Sequence, residues 1–153
     1  MTIAIDFDGT IVEHRYPKIG NEIPFATDTL KMLIKDRHRL ILWTVREGKL
    51  LDEAVEWCRE RGVEFYAVNA NHPDEQVKPD MTSPCRKVKA DLYIDDLNIG
   101  KLPDWGAIYE MIHNRWSYEC YLNETHDFKR FQKASWWKKL INKKNTHSKY
   151  ERE

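Results

Sequence analysis

Met1-Thr2-Ile3-Ala4-Ile5-Asp6-Phe7-Asp8-Gly9-Thr10 opens the chain, an apolar run from Ile3 to Ile5 that leads directly into two acids, a glycine and a threonine. The run is apolar and β-branched or small, the composition of a buried strand. Such a strand does not end in a pair of carboxylates unless something neutralises them, because burying an uncompensated charge is expensive. A divalent cation, which takes oxygen ligands, is the simplest candidate. An Asp-Gly turn accounts for Asp8-Gly9 but leaves Asp6 unexplained.

Moving outward, residues 11–23 read as an irregular stretch containing Pro17 and Gly20. Pro24 then suits the first turn of a helix that carries Leu30, Leu33 and Ile34 on one side and ends near Asp36-Arg37. Residues 39–45 are a near-continuous apolar run, as expected of a strand covered on both faces. Residues 47–61 place Leu51, Val55 and Cys58 at helical spacing and stop at Gly62. A third strand is expected over 63–68, a polar stretch over 69–87, and a fourth strand over 90–96 that again closes on two carboxylates, Asp95-Asp96. Residues 104–116 read as a further helix. Strands alternating with helices predict an α/β fold, a single-domain Rossmann-like parallel sheet with helices on both faces. Ligands bind such sheets at the carboxyl ends of the strands, where both acidic pairs lie, so pairs distant in sequence are expected to meet in space.

A chain of 153 residues fits one domain with a core of its own. Cys58, Cys85 and Cys120, odd in number and far apart, match neither a disulfide framework nor a zinc pattern and read as reduced thiols. With no leader-like segment ahead of Asp6 and no long apolar run, the expectation is a soluble cytoplasmic protein without a transmembrane segment. The formal charge is zero but unevenly spread: residues 126–153 hold nine Lys/Arg against three Asp/Glu, and the first 125 residues hold 16 against 22. In that tail Phe128, Phe131, Trp136 and Trp137 interleave with Lys129, Arg130, Lys133, Lys138 and Lys139. It reads either as an amphipathic helix packed on the 1–125 domain or as a surface for nucleic acid or an anionic membrane.

Asp6-Phe7-Asp8-Gly9-Thr10 after a strand, Thr44 at the end of the second, a lysine ahead of the fourth and Asp95-Asp96 at its end form an ordered set. This set resembles the four motifs of the haloacid dehalogenase superfamily and spans residues 1–100, within a 1–125 hydrolase-like domain. The resemblance implies an aspartyl-phosphate mechanism with Asp6 as nucleophile and Asp8 as the acid that protonates the leaving oxygen and later activates water. It implies a Mg²⁺ cofactor held by Asp6, Asp95, the position of Asp8 through its backbone carbonyl, and Asp96 directly or through water. Thr44 would donate its hydroxyl to a phosphoryl oxygen, and Lys87, with Lys89 as the alternative, would offset negative charge. Relatives that are dehalogenases lack an acid at the position of Asp8 and the ATPase pumps carry Thr there, whereas phosphatases keep Asp. Hydrolysis of a phosphate monoester is therefore the expected reaction.

Candidate substrate contacts are Gly9 and Thr10 in the first motif, His14 and Arg15 beyond it, Arg46 after Thr44, and Asn69 and Asn71 after the third strand. Arg46 suits a bidentate hold on a phosphate or an acidic group, or is a solvated charge at a helix start. Many relatives insert a cap domain after the first motif or ahead of the lysine motif. Here those windows, 11–23 and 69–86, are too short to fold independently, so the resemblance is to a small capless phosphatase-like member. An open site would take a phosphorylated small molecule or the phosphorylated end of a macromolecule, or be closed by a second subunit of a homo-oligomer. The rival expectation is a catalytically weak binding protein that works through its basic aromatic tail.

Overall fold

The elements follow the order β1 (Thr2–Ile5), α1 (Ala26–Lys35), β2 (Arg39–Leu42), α2 (Gly48–Glu60), β3 (Ala67–Val68), β4 (Leu92–Ile94) and α3 (Trp105–Asn114). The structure, a computed structural model, describes residues 1–75, 87–99 and 101–125. All strands run parallel in the order β3-β2-β1-β4, which is the α/β, Rossmann-like sheet expected from the alternation of elements. Ile3, Ala4 and Ile5 are all fully buried. Because successive strand residues point to opposite faces, β1 must be covered on both. Ala4, Ile41 and Ala67 stand in register on one face and pack with Val88, while Trp43, Tyr66 and Tyr93 border that cluster.

Of the residues their spacing marks, Leu30 and Leu33 on α1 and Cys58 on α2 are buried, together with Ala26 and Ala54, while Ile34, Leu51 and Val55 are half-buried. Burial pushes the Cys58 thiol up to about 12, so it is an inert core residue rather than a reactive one. Three expected strands are shorter than the apolar runs suggested. β2 ends at Leu42, not at residue 45, because the amide of Asn69 takes both backbone groups of Thr44 away from the ladder. The expected 63–68 strand keeps only Ala67–Val68 in ladder pairing, and the 90–96 strand only Leu92–Ile94. Residues 11–23 are not irregular throughout. Glu13 N–H donates to the Asn21 carbonyl at 2.8 Å and Ile23 N–H to that of Ile11 at 2.9 Å, closing a loop with a short antiparallel stem. A Cβ at Gly20, just beyond the stem, would overlap the Glu13 carbonyl oxygen, which restricts that position to glycine.

The chain forms two compact units, Met1–Tyr109 and a second beginning at Glu110. The first holds the sheet and everything described below as the site. In the second, Trp116 N–H donates to the Met111 carbonyl at 2.8 Å and residues 118–125 are helical. The 126–153 tail and part of the 69–86 window lie outside the described residues. Among the described residues no helix is long and apolar enough to cross a membrane.

Candidate active site

The sheet has its switch point at β1: the chain proceeds outward through β2 and β3, then returns to place β4 on the other side. Ligand clefts form at such points, outside the carboxyl ends of the strands. Ile5 is in register with Ile94, and Asp6 N–H donates to the Ile94 carbonyl at 3.0 Å. Asp6 and Asp95 therefore leave adjacent strands side by side. Carboxylate oxygens of Asp6, Asp95 and Asp96 all lie within 4.8 Å of one another, a set of hard oxygen donors able to hold a metal ion.

The backbone around this cluster is built for close approach. Gly9 adopts φ +89°, and a Cβ there would overlap the Asp96 carboxylate, so only glycine fits on both counts. Thr10 is fully buried. Its hydroxyl accepts from Asp96 N–H at 3.1 Å and donates to Asp6 Oδ2 at 3.3 Å, and its carbonyl accepts from the buried Trp105 indole at 3.1 Å. Gly9 and Thr10, expected as substrate contacts, are thus placed behind the acids, where they set the spacing of Asp6 and Asp96. Asp95 is held by Leu97 N–H, which donates to its Oδ1 at 2.8 Å.

The Asp6 carboxyl is pushed up to about 7 from its usual 3.8. Burial is the largest cause, opposed by the Phe7 N–H that donates to it, and the charges of Asp95, Asp96 and Asp8 raise it further. No Lys or Arg lies among the described residues lining the cleft. Concentrated negative charge without a cationic side chain is the condition a divalent cation relieves.

Asp8, which follows two positions after Asp6, is treated quite differently. Arg46 Nε donates to its Oδ2 at 2.6 Å and Arg46 Nη2 to its Oδ1 at 2.7 Å, with both side chains essentially inaccessible to solvent. The Asp8 side chain is accordingly outside the cluster of oxygens able to hold a metal ion. Arg46 is neither a free phosphate ligand nor a solvated charge at a helix start, since it is fully buried and its fork is closed on Asp8.

The cleft itself, of about 140 Å³, is lined by Asp6, Asp8, His14, Trp43, Thr44, Val45, Asp95 and Leu97. Thr44 is buried and gripped by Asn69, whose Oδ1 accepts from Thr44 N–H at 2.9 Å and whose Nδ2 donates to the Thr44 carbonyl at 2.9 Å. Asn69 therefore acts as a clamp on Thr44 and is absent from the cleft lining. Asn71, likewise outside the lining, has its side-chain oxygen taken by Lys89 N–H at 2.6 Å, and Arg15 pairs with Glu13 at 3.2 Å. Lys87 is exposed, with Nζ 4.7 Å from the centre of the Tyr93 ring; neither it nor Lys89 lines the cleft. Sequence reasoning missed Trp43, Val45 and Leu97 as lining residues. Trp43 and Val45 reach the mouth because β2 stops at Leu42, and nothing in an apolar run marks where its ladder will end.

No protein-family model matches the chain, and no curated protein matches it. A solved structure of a conserved protein from Bacteroides thetaiotaomicron is similar to it, with 62% sequence identity over 78% of this chain and 95% of that one, and a TM-score of 0.71. Identity of that level over nearly the whole of the other chain places both sequences in one family, and this chain belongs with the conserved Bacteroides thetaiotaomicron protein in it.

Proposed function

We propose that the protein is a Mg²⁺-dependent phosphohydrolase of the haloacid dehalogenase type, capless, which cleaves a phosphate monoester through a phosphorylated Asp6. The observation that carries this reading is the convergence of Asp6, Asp95 and Asp96 within 4.8 Å at the switch point, with Asp8 and Thr44 on the same cleft. The donor set is all carboxylate oxygen, which suits Mg²⁺ better than a softer metal. Asp6, Asp95 and Asp96 would hold the ion, which supplies charge neutralisation for the nucleophile and the transferring phosphoryl group.

In the first half-reaction an Asp6 oxygen attacks phosphorus, the ester P–O bond breaks, and the departing alcohol oxygen takes a proton from Asp8. In the second, water attacks the same phosphorus, gives a proton to Asp8, and displaces the Asp6 oxygen. Inorganic phosphate leaves and Asp8 is protonated again. Thr44, whose backbone Asn69 fixes and whose hydroxyl accepts from Arg46 N–H at 3.3 Å, would donate its hydroxyl proton to a phosphoryl oxygen. A cleft of about 140 Å³ is in keeping with a phosphoryl group as the part bound, on a phosphorylated small molecule or a macromolecular end.

The test is release of inorganic phosphate by the full chain with Mg²⁺ from an aryl phosphate and from sugar, nucleotide and nucleic-acid phosphates. Turnover that disappears with chelator and in Asp6→Asn is the expected result. Failure on every substrate would sink the reading.

A further inference from the structure

Arg46 is buried to the last atom, and all its guanidinium nitrogens are occupied. Nε and Nη2 close on the two oxygens of Asp8; Nη2 also donates to the Lys18 carbonyl at 3.0 Å, and Nη1 to the Pro17 carbonyl at 3.0 Å. The rings of Phe7 and Tyr16 flank it, with centroids 5.1 and 5.4 Å from Cζ. A substrate phosphate can reach this arginine only by displacing Asp8. The carbonyls of Pro17 and Lys18 sit at the tip of the loop whose stem joins 11–13 to 21–23, and the same loop carries His14 into the cleft lining.

The geometry points to Arg46 as the positioning residue for Asp8 and as the tie that couples Asp8 to the Tyr16–Lys18 loop tip, rather than as a ligand for substrate. This inference rests on the reading of Asp8 as the proton carrier. A bidentate fork fixes the plane of a carboxylate while using one lone pair on each oxygen, so each Asp8 oxygen keeps a second lone pair for the proton it carries. Lysine has charge but no fork, and cannot hold both carboxylate oxygens and two loop carbonyls at once.

The experiment compares Arg46→Lys with the unaltered full chain, in Mg²⁺, on an aryl phosphate and an alkyl phosphate. An aryl oxide leaves with little help, whereas an alkoxide needs the proton from a well-aligned Asp8. The expected result is a kcat loss of about 100-fold on the alkyl ester and under about 10-fold on the aryl ester, with KM little changed. Equal losses on both esters, or a rise in KM with kcat retained, would overturn the positioning role. The tie has a readout free of turnover: in Asp8→Asn the amides of Tyr16 and Lys18 exchange hydrogen faster, although neither residue bonds to Asp8. Unchanged exchange there overturns the coupling. If the unaltered protein hydrolyses neither ester, the phosphohydrolase reading fails and the positioning role falls with it, while the exchange result still decides the tie. Where Arg46→Lys does not fold, Tyr16→Leu removes a flanking ring without removing a hydrogen bond, and the same preferential loss on the alkyl ester, smaller in size, is expected.

Discussion

Asp6 and Asp8 leave the same strand two positions apart, yet the fold treats them in opposite ways. Asp6 faces Asp95 and Asp96, has the Thr10 hydroxyl as a weak donor, and is pushed up to about 7. Asp8 has both oxygens taken by a buried guanidinium at 2.6 and 2.7 Å. One acid is left in an environment that calls for an added cation; the other has its cation built in. Two chemically identical side chains are given opposite surroundings, which is the difference the proposed nucleophile and proton carrier would need.

The largest expected break in this comparison is kinetic. Asp6→Asn keeps the shape of the site but removes the proposed nucleophile, and phosphate release should fall by about 10⁴-fold or more. Retention of turnover within tenfold of the original would remove Asp6 from that role. Arg46→Met next attacks the built-in cation. It strands a buried carboxylate, and denaturant unfolding should record a loss of about 3 to 5 kcal/mol, the usual cost of breaking a buried pair from one side. A loss below about 1 kcal/mol would mean that the pair is better solvated than its burial indicates.

Metal binding sharpens the other side. Mg²⁺ at a hundredfold excess over its dissociation constant should raise unfolding stability by about 2.7 kcal/mol, and Asp95→Asn should abolish most of that gain at the same concentration. Equal gains in both proteins would place the ion elsewhere. The smallest effect is the pH dependence of the metal-free protein. Asp6 binds its proton more tightly folded than unfolded, so its contribution is fully present below about 3.8 and is lost as pH rises through about 7. Over that window the carboxyl should cost about 1 to 3 kcal/mol, and Asp6→Asn should flatten the slope. A stability that rises across the same window in the metal-free protein, with no flattening in Asp6→Asn, would contradict the raised carboxyl.

Much of the fold was legible because burial on both faces imposes unbroken apolar runs, visible at 3–5 and 40–42; the run at 92–94 also marks its strand, although Leu92 is exposed there. Strand ends were less legible. Thr44 lies in an apolar run but leaves the ladder because a side chain from beyond β3 captures its backbone, and only the packed chain brings Asn69 there. The acids of the site were marked by their position at strand ends. Arg46 was marked either as a bidentate holder of a phosphate or acidic group, the task arginine suits, or as a solvated charge, while its partner Asp8 across the fold could not be read from spacing. Gly9 and Thr10 were drawn into the site by their place in the motif; the structure puts their contacts behind it, against Asp96, Asp6 and Trp105.

The amino-acid sequence alone determined the alternation of elements, the parallel sheet and the delivery of Asp6, Asp8, Asp95 and Asp96 to strand ends, because these follow from local hydrophobic period and chain direction. Tertiary structure alone decided which carboxylate meets other carboxylates and which meets Arg46. Those pairings depend on strand register and loop closure, which bring together residues far apart along the chain, and local sequence carries no record of such distances.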